Sequence, residues 1–99
     1  MAGRQVTVFA LVKSKPGLAE KVKQELSALV APTLVEEGCI NYDLHQSLDR
    51  AEHFRFYENW TSKEHLDRHL QSAHVKRFIA NADQLLAEPP EITLWERLP

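Results

Sequence analysis

Three histidines, a tryptophan, a tyrosine and two glutamates fall within one twenty-residue stretch, FYENWTSKEHLDRHLQSAHV, from Phe56 to Val75. Imidazoles take up and return protons near neutral pH, so a cluster of them points first to general acid–base chemistry. A metal site is the other chemistry to weigh. His65 and His69 stand four apart, on one face of a helix, and His74 would supply a third ligand. The spacing reads H-L-D-R-H and lacks the glutamate of the hydrolytic H-E-x-x-H motif, and no cysteine lies nearby. The expectation is therefore a proton-transfer site without a metal.

The individual residues carry different weights. His69 follows Leu66 by three and precedes Leu70, so it borders the apolar stripe of its helix and can face a sheet. It is either a base or a half-buried histidine tied to a backbone carbonyl. His74 comes just after Ser72, in the first turn of the next helix, where the dipole disfavours imidazolium. A neutral imidazole there suits a base; the alternative is a solvated first-turn residue. Glu58 shares a strand face with Phe54, Phe56 and Trp60. A carboxylate among aromatics is either paired with Arg or Lys or meets a ligand. Trp60 and Tyr42 read as core residues that can also wall a pocket for a flat ligand, with the Tyr42 hydroxyl in reach. Phe78, on the apolar stripe of the last helix, is assigned to the same pocket. Cys39 reads as a small core residue.

The elements that position these groups follow from periodicity. VTVFALV, Val6 to Val12, is a strand apolar on both faces, which calls for cover on both faces. Pro16 opens a helix spanning Leu18 to Glu37, with Leu18, Val22, Leu26 and Leu29 in one stripe, a kink or short break expected at Pro32 and a stop at Gly38. CINYDLHQS alternates, with Ile40, Tyr42 and Leu44 on one face, and pairs across LDRAE with HFRFYENW as a hairpin. Ser62 caps a short helix to Leu70, Ser72 caps a longer one, and EITLWERL is a last strand. Strand, helix, two strands, helices, strand is the split plan of an α+β, ferredoxin-like sandwich. Helices cover one sheet face in that plan, so the other apolar face predicts a homodimer packed sheet to sheet.

Ninety-nine residues predict a single domain over 1–99. Net charge is −2 with scattered Lys and Arg, which argues against nucleic acid as a partner. VTVFALV is too short to span a membrane, and the KSKPG after it is unlike a leader cleavage site. A single cysteine permits no internal disulfide. The expectation is a cytoplasmic protein.

GCINYDLHQS followed by FRFYENWTSKEHLDRHLQSAHV resembles the antibiotic biosynthesis monooxygenase family, and is most similar to its quinol monooxygenase-like branch. The shared pattern is carried by Gly38, Tyr42, Phe54, Glu58, Trp60, His69 and His74. The resemblance implies a dimeric α+β barrel with a ligand pocket between sheet and helices. Members of the family oxidise quinols or polyphenols with molecular oxygen and no metal, haem or flavin. Others degrade haem or isomerise a phosphorylated sugar. The haem-degrading pattern needs an Asn on the first strand, which VTVFALVKS lacks, and places its Trp and His at His69 and Ile79.

The expected function is thus cofactor-free oxygenation of a small aromatic quinol, with His74 or His69 as base and Tyr42, Glu58, Trp60 and Phe78 at the substrate. The alternatives are an isomerase of a phosphorylated ketone, using Lys76 and Arg77 as phosphate ligands, and a non-catalytic dimeric binding or stress-response module.

Overall fold

The structure, a computed structural model, describes residues 4–99. Four strands, β1 (Val6–Lys13), β2 (Cys39–Gln46), β3 (His53–Trp60) and β4 (Glu91–Trp95), form one antiparallel sheet in the order β2-β3-β1-β4. Four helical segments, α1 (Ala19–Ser27), α2 (Val30–Leu34), α3 (Lys63–Leu70) and α4 (Ala73–Leu85), complete the α+β ferredoxin-like plan. The core lies between one sheet face and the helices. Val8, Ala10 and Val12 of β1 meet Val22 and Leu26 of α1, with Phe54, Phe56 and Trp60 of β3 in the same cluster.

The helix expected from Leu18 to Glu37, with a kink or short break at Pro32, is two helices. The break falls at Ala28 and Leu29, and Pro32 sits inside α2 without breaking it. Leu29 caps α2, so Pro32 lies in its first turn, where backbone N–H groups have no intrahelical partner to lose. Ile40 also departs from expectation. The β2–β3 register shifts between Cys39 and Asn41, so Ile40 is bulged out and 51% exposed while Tyr42 and Leu44 keep the inward face. Ile79 of α4, next to the buried Phe78, is half exposed.

Ser62 and Ser72 cap α3 and α4, accepting from the N–H groups of His65 and Val75. Gly38 holds φ at +86°, and a Cβ there would collide with the His65 side chain. The bare backbone lets the start of β2 run beneath α3, where the Gly38 carbonyl accepts the Thr61 N–H at 2.9 Å. This close approach sets the turn before β2, which carries Glu36, against the helix that carries His69.

Among the described residues, none covers the second sheet face. Phe9 and Tyr57 stack there with ring centroids 5.4 Å apart, and Trp95 packs edge-on to Phe9. All three are exposed.

Candidate active site

A cavity of about 60 Å³ opens between the helix-covered sheet face and α3 and α4. Its walls are aliphatic or aromatic except at three side chains, Tyr42, Glu58 and His69. A concave apolar cavity with a few convergent polar groups is the ordinary form of a small-molecule site. Strand alternation delivers the first two. Tyr42 and Glu58 are paired across β2 and β3 and so point to the same face. Helix α3 delivers the third, because His69 follows Leu66 by three residues and both are buried against the sheet. Phe78 of α4 lines the cavity as well.

His69 is 3% exposed and held on several sides. Trp60 packs on its ring at 4.7 Å between centroids, and Tyr42 meets it edge-on at 5.3 Å. Its Nδ1 lies 2.7 Å from Glu36 Oε2, so this nitrogen carries the hydrogen and the carboxylate accepts it. The opposite ring edge, with Nε2, is then the one left for the cavity. Burial lowers the His69 pKa; the Glu36 hydrogen bond and charge oppose this, and His74 adds to the lowering.

Glu36 is a residue that sequence reasoning missed. It follows α2 in the turn to β2, where nothing in VEEGC marks one glutamate as inward. Its Oε2 also accepts from His74 Nε2 at 2.9 Å. Thr33 Oγ1 and Ser72 Oγ approach the same nitrogen at 3.2 and 3.3 Å. Thr33 is fully buried. His74, expected either to face substrate or to be solvated, does neither: it is partly buried, bonds Glu36, and does not line the cavity.

Glu58 is 4% exposed, and no ion pair among the described residues involves it. Its side-chain partner is Trp60, whose Nε1–H donates to Oε1 at 2.9 Å. Burial pushes its pKa up to about 7, the Trp60 hydrogen bond holds it down somewhat, and the Glu36 charge raises it. A carboxyl that keeps its proton near neutrality can donate a hydrogen bond. Trp60, read from the sequence as a core residue that can also wall a pocket, is fully buried behind the cavity and does not line it, fixing Glu58 through its N–H and His69 through ring contact. The Tyr42 phenol is raised by burial first and the Glu58 charge second, so it stays protonated. Burial pushes the Cys39 thiol up to about 11, which leaves it unreactive.

The trio of His65, His69 and His74, weighed and set aside as a metal site from the sequence, does not assemble. His65 Nδ1 is engaged by Ser62 Oγ at 2.7 Å and Thr61 Oγ1 at 3.1 Å, away from the other two rings. The residues whose donor atoms converge are Glu36, His69 and His74, all within 4.8 Å of one another. Lys76 and Arg77, candidates for a phosphate, are exposed on α4 and line no part of the cavity.

The chain is similar to several known proteins in sequence and in fold. The structure superposes on PA3566 from Pseudomonas aeruginosa with a TM-score of 0.93 and 35% identity, covering 100% of this chain and 99% of that one. It superposes on Rv0793 from Mycobacterium tuberculosis with a TM-score of 0.89 and 30% identity, covering 96% of each chain. In sequence alone, that mycobacterial protein, named "Putative monooxygenase Rv0793", is 34% identical over 90% of this chain and 87% of its own length. The uncharacterized protein sll1783 of Synechocystis is 29% identical over 92% of this chain, which spans only 62% of that protein. The family model described as antibiotic biosynthesis monooxygenase matches residues 5–81. With a matching fold over its whole described length and a family match over most of its sequence, the chain belongs to the antibiotic biosynthesis monooxygenase family.

Proposed function

We propose that the protein is a cofactor-independent monooxygenase of a small, single-ring aromatic quinol. Family membership supports a monooxygenase-like activity on a small molecule. The observation that carries the finer reading is the pairing of Glu36 with His69 at the wall of an apolar cavity. Glu36 fixes the hydrogen of His69 on Nδ1, which leaves Nε2 as a buried acceptor for a substrate proton, with a carboxylate behind it to stabilise the imidazolium that forms. The free volume of about 60 Å³ is small, which favours a substrate of one ring over one of several.

The chemistry balances without a redox group in the protein. His69 Nε2 takes a proton from one quinol hydroxyl. The quinolate gives one electron to oxygen, and the radical pair recombines at a ring C–H carbon to form a C–O bond and a peroxide. The peroxide O–O bond breaks as that ring hydrogen leaves and His69 returns its proton, releasing water and a hydroxyquinone. Four oxygens enter, two from the diol and two from oxygen gas; three remain on the product and one departs in water. Glu58, protonated and oriented by Trp60, donates to the second oxygen of the ring, and Tyr42 supplies a further donor. The apolar walls keep water from the radical pair.

A homodimer through the open sheet face completes the reading, because Phe9, Tyr57 and Trp95 leave aromatic surface there to be covered. The isomerase alternative is less well supported: the cavity is lined by no Lys or Arg to receive a phosphate. The deciding experiment is oxygen uptake by metal-stripped protein with a panel of single-ring hydroquinones, with phosphorylated ketones assayed in parallel. Uptake that falls by about a hundredfold in His69→Ala supports the reading. No uptake with any quinol, or uptake unchanged in a folded His69→Ala, sinks it.

A further inference from the structure

We propose that Glu36, His69 and His74 bind one divalent transition-metal ion of the zinc class, through Glu36 Oε2, His69 Nδ1 and His74 Nε2. The three donors come from three separate elements, the α2–β2 turn, α3 and the first turn of α4, yet converge within 4.8 Å. They are gathered around a single point: one carboxylate oxygen lies 2.7 Å from one imidazole nitrogen and 2.9 Å from the other. An ion with bonds of 2.0–2.1 Å in tetrahedral geometry holds its donors roughly 3.4 Å apart. To reach that separation the carboxylate oxygen withdraws from the two nitrogens by about 0.5–0.7 Å while the nitrogens, at most 4.8 Å apart, close toward each other by up to about 1.4 Å, adjustments that side-chain torsions can supply.

Chemistry narrows the ion. Two imidazoles, one carboxylate and no thiolate suit zinc, iron(II), cobalt, nickel or copper(II), and suit neither calcium nor magnesium, which take oxygen shells. Three protein donors leave a fourth position for water. An entry route exists, since the side chains of Glu36 and His74 are 17% and 18% exposed while His69 is 3% exposed. The Thr33 and Ser72 hydroxyls, already 3.2 and 3.3 Å from His74 Nε2, stand beside the ion to hold its water or the second carboxylate oxygen.

Binding moves protons. The hydrogens on His69 Nδ1 and His74 Nε2, which now point at Glu36, must shift to the opposite nitrogens for the lone pairs to meet the ion. For His69 that places a hydrogen on the edge facing the cavity, which turns an acceptor into a donor. If the proposed function holds, the loaded protein has lost its base, so zinc inhibits turnover and a chelator restores it.

The test is a titration of metal-free protein with zinc by calorimetry and with cobalt by visible absorption, with no substrate present. One equivalent per chain is expected, with the intense cobalt band of a tetrahedral site. Since loss of a mere outer partner weakens metal sites by about 10–100-fold, His74→Ala and Glu36→Gln should each weaken binding by ~100-fold or more. A His45→Ala/His53→Ala double variant, altered only at the hairpin, should bind as wild type. Circular dichroism reports whether each variant folds; should Glu36→Gln fail to fold, the partly exposed His74→Ala decides. Absence of binding to wild type, or equal binding to folded His74→Ala, overturns the proposal. Because the titration needs no turnover, a protein that binds zinc yet never consumes oxygen keeps this site and loses the proposed reaction.

Discussion

Glu58→Gln tests the buried carboxyl through stability alone. The carboxyl is 4% exposed, has no cation beside it, and is raised from an ordinary 4.5 to about 7, chiefly by burial. A proton held more tightly in the folded than in the unfolded chain stabilises the fold. That contribution is complete below about pH 4.5, shrinks as pH rises toward 7, and is gone above it. The displacement corresponds to about 3 kcal/mol at ~1.4 kcal/mol per pH unit. Glutamine keeps the shape and the oxygen that accepts the Trp60 N–H, but never ionises. The variant should match wild type at pH 4.5 and exceed it by up to ~3 kcal/mol at pH 9, on the order of 10–20 °C in Tm for a chain this size. Urea titrations followed by tryptophan fluorescence, at fixed protein concentration across that range, measure the difference while every other titration common to both chains cancels. Two stability curves that stay parallel from pH 4.5 to 9 would refute the argument, since they would mean that Glu58 is ionised or solvated in the fold. With a quinol, the same variant should raise KM although its stability is unchanged or higher, because an amide donates in place of the protonated carboxyl with altered geometry.

Other outcomes follow from the same contacts. His69→Ala should lower kcat by about a hundredfold, whereas His74→Ala, outside the cavity but bonded to Glu36, should lower it less; equal losses in steady-state kinetics would place both rings at the substrate. Gly38→Ala should destabilise by about 2–4 kcal/mol, from the left-handed backbone plus collision with His65, while Gly17→Ala, at φ +83° with open space around it, should cost only ~1 kcal/mol; thermal melts that rank them the other way contradict the close approach. Sedimentation at micromolar concentration should give about twice the 11.4 kDa chain mass, and Tyr57→Glu on the open sheet face should shift it to monomer; a wild-type monomer would remove the dimer from the proposal.

Local pattern was enough for most of the architecture. Alternation in HFRFYENW put Phe54, Phe56, Glu58 and Trp60 on one face, and the structure has them buried there. Ser62 and Ser72 marked the starts of α3 and α4 because a cap acts on backbone groups two or three residues away. The length and periodicity of the segments gave the ferredoxin-like order. The failures were those of local rules meeting non-local packing. Pro32 looked like a kink, yet a break four residues earlier made its position a first turn, where proline is harmless. Ile40 fitted the alternation until a bulge turned it outward.

The family resemblance, resting on the spacing from Gly38 to His74, was also legible in the chain. What only the tertiary structure decided is how the polar residues divide their roles. Sequence placed His69 and His74 five residues apart on different helices and gave no means of ranking them. Folding brings up Glu36, 33 residues before His69, to accept from both rings, and leaves His69 alone at the cavity wall. No periodicity carries that information, because a hydrogen bond between the α2–β2 turn and α3 depends on how the two are set against each other. Glu58 shows the same division. Its face was set by strand parity, but whether it found a cation depended on what the fold brought beside it, and the fold brought the Trp60 N–H. Chemistry of this kind is written in distances between elements, and those come into being only when the chain packs.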